Sequence, residues 1–193
     1  MSEQPKRLKE LIVRAKHPIA NNLKKTEEEG LIKSHFDFEI SQLIIDHFGT
    51  FNGVIDENKS LAELWVFTDA VPISLDECNR LMNESAFEGY WPENLIPIFS
   101  NGISEHILID KLANPDEHSV FYFSHSVFYF SHSDVDFDLV EYFDNYQLMV
   151  ESVEKCYTEG AYRITDGFFG IENDKELKIM RNLNPKSDYW KIY

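Results

Sequence analysis

The heptapeptide SVFYFSH occurs twice in tandem, at Ser119–His125 and Ser126–His132. An identity of this length and composition does not arise by chance, so it reflects a recent duplication or a copying error in the sequence. Its aromatic and β-branched content predicts a strand, and its odd length then becomes a constraint. Side chains alternate between the faces of a strand. Continuing straight would therefore turn each residue of the second copy to the face opposite its counterpart. The chain has to turn between the copies or leave one of them outside the sheet. The junction Ser124-His125-Ser126 has no Gly or Asn-Gly signal for a tight hairpin. One copy is expected in the sheet and the other in a bulge, an extra strand or a loop. The duplication also accounts for His118, His125 and His132 recurring every seven residues. On strands that spacing alternates faces, so no metal site is expected from it.

Charge is as unevenly placed as the repeat. Residues 36–150 carry 21 carboxylates against Lys59, Arg80 and Lys111, whereas the first 35 residues hold eight Lys/Arg against five Glu. The last 43 are nearly balanced, and the net charge of −16 is therefore local. Like charges at this density raise the energy of the compact state. A basic partner, attracted fast and held electrostatically, is the use this predicts, with solubility as the plainer alternative. Nucleic acid is not an expected partner, because phosphates would be repelled.

A hydrophobic content of 43% and an aromatic content of 14% argue against disorder. At 193 residues a single domain with its own core is expected. No apolar run approaches the about 18 residues of a membrane span, and MSEQPKRLKE has no signal-peptide core. Cys78 and Cys156 lack ligand spacing and read as reduced thiols, which points to the cytoplasm.

Along the chain, Leu8, Leu11, Ile12 and Ala15 follow the helical period until Pro18. Residues 19–34 read as a connector or a loosely held helix. Phe38–Phe48 is a second helix, with Gly49 and Gly53 as stop and turn. Glu63–Phe67 is rich enough in aromatic and β-branched residues for a strand. Ser74 and Glu77 form a capping box that opens a helix through Leu75, Cys78, Leu81 and Met82. Trp91-Pro92 ends that pattern and is expected to anchor the core. Strands are predicted at Leu95–Phe99, Ile107–Ile109, Val120–Phe123 and Val127–Phe130, with Pro97 marking an edge or a bulge. Asp136–Thr158 returns to the helical period through Leu139, Phe143, Tyr146, Val150, Val153 and Tyr157, and Gly160 supplies its cap. A hairpin is predicted around Asp166-Gly167 and a final helix at Asp174–Leu183. The expected fold is α+β: one domain, with a mostly antiparallel central sheet flanked by helices.

No GxxxxGK[ST], GxGxxG, HExxH or GxSxG motif is present, and no cofactor is expected. Cys78 paired with His47 or His106 would be a thiol nucleophile. Its place on an apolar helix face favours a small buried hydrophobe instead. Asp134, Asp136 and Asp138 imitate the start of a calcium loop but lack its Gly and Glu, with Leu139 and Asn145 in those places. With Ser133 they read as acidic capping residues at a helix start.

The order of elements resembles the SUKH superfamily, named for yeast cell-wall-synthesis regulators of the Smi/Knr type. The resemblance runs through FEISQLIIDHFGTFNG, AELWVF, YWPENLIPIFSNG, ILID and VFYFSH to a long helix ending GAY, over roughly residues 34–163. Residues 1–33 precede this core as helix and connector, and 164–193 extend it. The family's glycine-rich turn before the middle strand is reduced here to Asn101-Gly102, and the tandem repeat is not a family feature. The resemblance implies a non-catalytic protein that neutralises a cognate toxin, a basic nuclease-type domain fitting the acidic charge. A regulatory or scaffold module like the eukaryotic relatives is the alternative, although such proteins carry longer disordered flanks. The residues expected to meet the partner are Glu105, Asp110, Asp116, Glu117, Asp134, Asp136, Asp138 and Glu141. They border the predicted strands and helix start, where chain ends can converge on one surface.

Overall fold

The two most apolar runs, Leu95–Ser100 (β2) and Glu105–Asp110 (β3), can leave water only by pairing and being covered on both faces. The structure, a computed structural model, describes residues 3–55, 59–83, 91–92, 94–127 and 135–192. In it β2 and β3 form the middle of an antiparallel sheet. Val71–Pro72 (β1) lies on one side and Val120–Val127 (β4) and Val135–Phe143 (β5) on the other, in the order β1-β2-β3-β4-β5. Every residue of β2 is buried. The register shifts between Pro97 and Phe99, and β1 pairs only with Phe99 and Ser100. The proline thus sits where no ladder hydrogen bond is asked of it.

Helices close the layer. Gln4–Arg14 (α1) packs on Tyr146–Glu159 (α6), buries Leu8, Leu11 and Ile12, and pairs Arg7 and Arg14 with Glu154. The connector after α1 holds a 3-10 turn, Pro18–Asn21, and a short helix, Glu29–Ser34 (α2). Gln42–Phe48 (α3) is capped by Ser41, and Leu75–Met82 (α5) by Ser74, whose hydroxyl accepts from the Glu77 amide at 3.2 Å. Tyr162–Thr165 (β6) and Phe168–Ile171 (β7) form the predicted hairpin. Asp166 and Gly167 both take positive φ, 53° and 85°, as a type I′ turn requires. Asn173–Leu183 (α7) and Tyr189–Ile192 (α8) complete the fold.

Two expectations are corrected. Leu64–Phe67 is not a strand. Leu61–Leu64 is a helical turn (α4), and the Glu63 carboxylate accepts from the Ser60 amide at 2.9 Å, a capping contact that nucleates it. Val66 and Phe67 then spend their backbone groups on a local turn with Ala70 instead of a ladder.

The long helix is also shorter than its stripe. Residues 135–143 form β5, and α6 begins at Tyr146, capped by Asn145, whose Oδ1 accepts from the Leu148 amide at 2.8 Å. Leu139 is 45% exposed, whereas Phe143, Val150 and Val153 are buried. Asp136 and Asp138 are therefore strand residues, not helix caps.

Of the two alternatives for the repeat, a turn between the copies is not taken. β4 runs straight through Ser124-His125-Ser126 to Val127, so the first copy lies in the sheet and the second begins in it. Residues 128–132, with Asp134, lie outside the described residues.

Candidate functional site

β4 and β5 pair with a bulge: Val120 faces Phe143 and Phe121 faces Glu141, which leaves Tyr142 without an opposite residue. A bulge of this kind re-aims side chains, and here consecutive Tyr142 and Phe143 are both buried. Tyr142 joins Tyr122 of β4 (ring centroids 5.4 Å apart) and Tyr189 of α8 (4.7 Å), and Tyr122 and Tyr189 lie 5.0 Å apart. Trp190 stacks on Tyr142 at 5.1 Å and 22°.

Three carboxylates share the electrostatics of this tyrosine cluster. Glu105 opens β3, where Asn101 fixes it. The Asn101 side-chain amide donates to Glu105 Oε2 at 2.5 Å, and its Oδ1 accepts from the amides of Ile103, Ser104 and Glu105. Glu176 of α7 is only 6% exposed, and its Oε1 accepts from Tyr162 at 2.5 Å and from Thr68. Asp69 occupies the turn between Phe67 and Ala70 at φ 56°, a left-handed conformation that Asp tolerates better than most residues. Burial, and then the charges of Glu105 and Glu176, push the Asp69 carboxyl up to about 6. Burial likewise raises Glu176 against the hydrogen bonds from Thr68 and Tyr162. The Tyr122 phenol is pushed above its ordinary value by burial first and then by Glu105. Among the described residues no ion pair forms with Asp69, Glu105 or Glu176.

The eight expected partner residues divide between the two ends of the strands. Glu105 lies opposite Ser124, which lies opposite Asp138, and Asp136 lies opposite Ser126. These three carboxylate residues share one end of the strands, and the bulge that holds Tyr142 lies toward the other. Asp110, Asp116, Glu117 and Glu141 lie at the other end, on β3, the β3–β4 connection and β5. There Asp110 Oδ1 accepts from the Leu112 amide at 2.8 Å, Glu117 from Asn114 at 2.7 Å and Glu141 from Ser119 at 3.2 Å. On β5, the outer strand, the charges also discourage pairing with another chain. Sequence reasoning missed Asp69, Glu176, Tyr142 and Tyr189, which long-range folding assembles.

The chemistry available elsewhere is limited. Burial pushes the Cys78 thiol well above its ordinary value and the Cys156 thiol up to about 12, so neither is a ready nucleophile. His47 Nδ1 pairs with the Tyr146 hydroxyl at 2.9 Å, and burial lowers its pKa to about 3. The Trp91 indole donates to the Leu95 carbonyl at 3.2 Å and its ring lies 5.2 Å from Phe123, an anchoring role. Among the described residues no group of three His, Cys, Asp or Glu side chains could hold a metal ion, and no helix is long and apolar enough to cross a membrane. Comparison with known proteins returns neither a matching family model nor a matching curated protein.

Proposed function

We propose that this protein is a non-catalytic binding module that captures and silences a basic toxin domain, probed first by the sheet end that carries Glu105, Asp136 and Asp138. The observation that carries this reading is the placement of charge. Residues 36–150 hold 21 carboxylates and only three basic side chains. Of these carboxylates Asp69, Glu105, Asp110, Asp116, Glu117 and Glu141 make no ion pair among the described residues. Such charges destabilise the free protein and are relieved by a cationic partner. The order of elements that resembles the SUKH superfamily supports a toxin as that partner. No cofactor and no catalytic group enter the proposal.

The test is co-expression with the toxin encoded beside this gene, scored by growth. Protection by the wild-type protein is expected, and its failure against any linked toxin would sink the proposal. The variant carrying Asp134→Asn, Asp136→Asn and Asp138→Asn should associate more slowly and with a flatter salt dependence. Full protection and unchanged association kinetics in that variant would move the interface elsewhere on the molecule.

A further inference from the structure

We infer that the cavity between α1 and the Gly49-Thr50 turn binds a small molecule that carries one carboxylate on an apolar body. The inference goes beyond the proposed function and does not rest on it.

α1 presents two faces. Leu8, Leu11 and Ile12 are buried in the core, whereas Lys6, Lys9, Glu10 and Val13, at i, i+3, i+4 and i+7, share another side of the helix. Across from them stand Thr26 of the connector and the Gly49-Thr50 turn that follows α3. The space between measures about 610 Å³, within the range of about 300–1,000 Å³ common for small-molecule sites. Val13, 58% exposed, and the methylene stems of the two lysines give it an apolar wall.

Two observations point to an anion. Lys9 is half-buried, and among the described residues its ammonium makes no ion pair and only one long hydrogen bond, to the Thr50 carbonyl at 3.4 Å. An ammonium drawn partly out of water with most of its donors unused is stabilised by an anion that reaches it. The hydroxyls of Thr26 and Thr50 also line the cavity and make no hydrogen bond among the described residues, so each can donate to a carboxylate oxygen.

The walls select a single negative charge. Lys6 is matched by Glu10 at 3.9 Å and Arg14 by Glu154 at 3.1 Å, which leaves Lys9 as the uncompensated cation of the lining. A second charge on the ligand would meet the Glu10 carboxylate instead of a cation. Lysine acts as a point charge and needs no planar, bidentate partner. The apolar body is required because Val13 and the lysine stems gain only from apolar surface laid against them.

The probe is octanoate, titrated below its micelle concentration into the full chain at constant ionic strength and followed by backbone amide NMR. Saturable shifts at Lys9, Val13 and Thr50 are expected. Acetate, which lacks the apolar body, and octanamide, which lacks the charge, should each bind at least tenfold more weakly. Octyl phosphate, held at a pH where it is a dianion, should also bind more weakly. Lys9→Met keeps the stem and removes the charge, and Val13→Gln keeps the helix and removes the apolar wall. Each should weaken octanoate binding at least tenfold, with thermal melts confirming that both variants fold. The inference is overturned by absence of saturable shifts, by acetate, octanamide or octyl phosphate binding as tightly as octanoate, or by wild-type affinity in either variant.

Discussion

The helical layer and the sheet end treat charge in opposite ways. On the α1–α6 face Arg7 and Arg14 converge on Glu154, and Lys155 meets Glu159. Nearby, Arg163 and Lys175 share Glu172. At the sheet end Asp69, Glu105 and Glu176 face tyrosines, and no cation joins them among the described residues. Compensated surface charges are worth little individually and serve to hold two helices in register. Uncompensated ones cost stability, and a fold retains them where something outside the chain can complete them. Apolar packing must therefore outweigh that repulsion at the sheet end.

That contrast breaks most easily at Phe143. It is fully buried at the end of β5, against Phe67 and Trp190. Phe143→Ala should cost about 3–5 kcal/mol in denaturant unfolding. A loss below about 1 kcal/mol would show that packing is not what outweighs the repulsion.

Asp69→Asn should act in the other direction. The folded value of about 6 lies above the ordinary 3.8, so ionised Asp69 works against the fold at neutral pH. Protonation relieves this as pH falls from 6 towards 4. The variant should gain about 1–3 kcal/mol above pH 6, allowing for partial exposure, and nothing below about pH 4. Calorimetry across that range checks both the sign and the window.

Glu154→Gln, in the compensated layer, should cost at most about 1 kcal/mol, with most of that loss erased in concentrated salt. A larger, salt-insensitive loss would mean that the helical layer is held by its ion pairs after all.

The smallest change is expected from deleting Ser126–His132. His125 pairs with Phe137, so the shortened chain can close the β4–β5 hairpin through Ser133–Asp136, an ordinary four-residue connection. Stability within about 1 kcal/mol of wild type is expected from so modest a change in loop length, measured by thermal unfolding. A large loss would show that the second copy is built into the core.

Local signals were legible in the sequence because they act over a few residues. The Ser74 cap, the Asp166-Gly167 turn and the Gly160 terminus, at φ 75°, all follow from side-chain and backbone chemistry within one turn of chain. β5 was misread because Leu139 and Phe143 lie four apart, as on a helix, whereas Val135, Phe137 and Leu139 alternate with aspartates, as on a strand. Sheet pairing with β4 decides between the two periods, and no window of sequence contains that partner. The site was half legible for the same reason. Glu105 announces itself as a carboxylate at a strand start. Glu176 reads as part of a solvated helix face until Thr68, 108 residues away, donates to it. Tyr142 is picked out only by a bulge that depends on the register of another strand.

The closure of α8 over the sheet has a consequence for timing during synthesis. Residues 184–190 reach back to the end of β5. Asn184 Oδ1 accepts from the Asp144 amide at 3.2 Å, and Asp144 accepts from the amides of Lys186 and Ser187 at 3.1 and 2.9 Å. The Ser187 hydroxyl donates to the Glu141 and Tyr142 carbonyls at 2.8 and 3.0 Å. Only then do Tyr189 and Trp190 cover Tyr142. A nascent chain grows from its N-terminus at about 5–20 residues per second. Its strands can pair, and α6 can dock, while Tyr142 still lacks its cover. Burial of Tyr142 is thus the last step for a growing chain, and clipping a finished one after Leu183 would uncover it again.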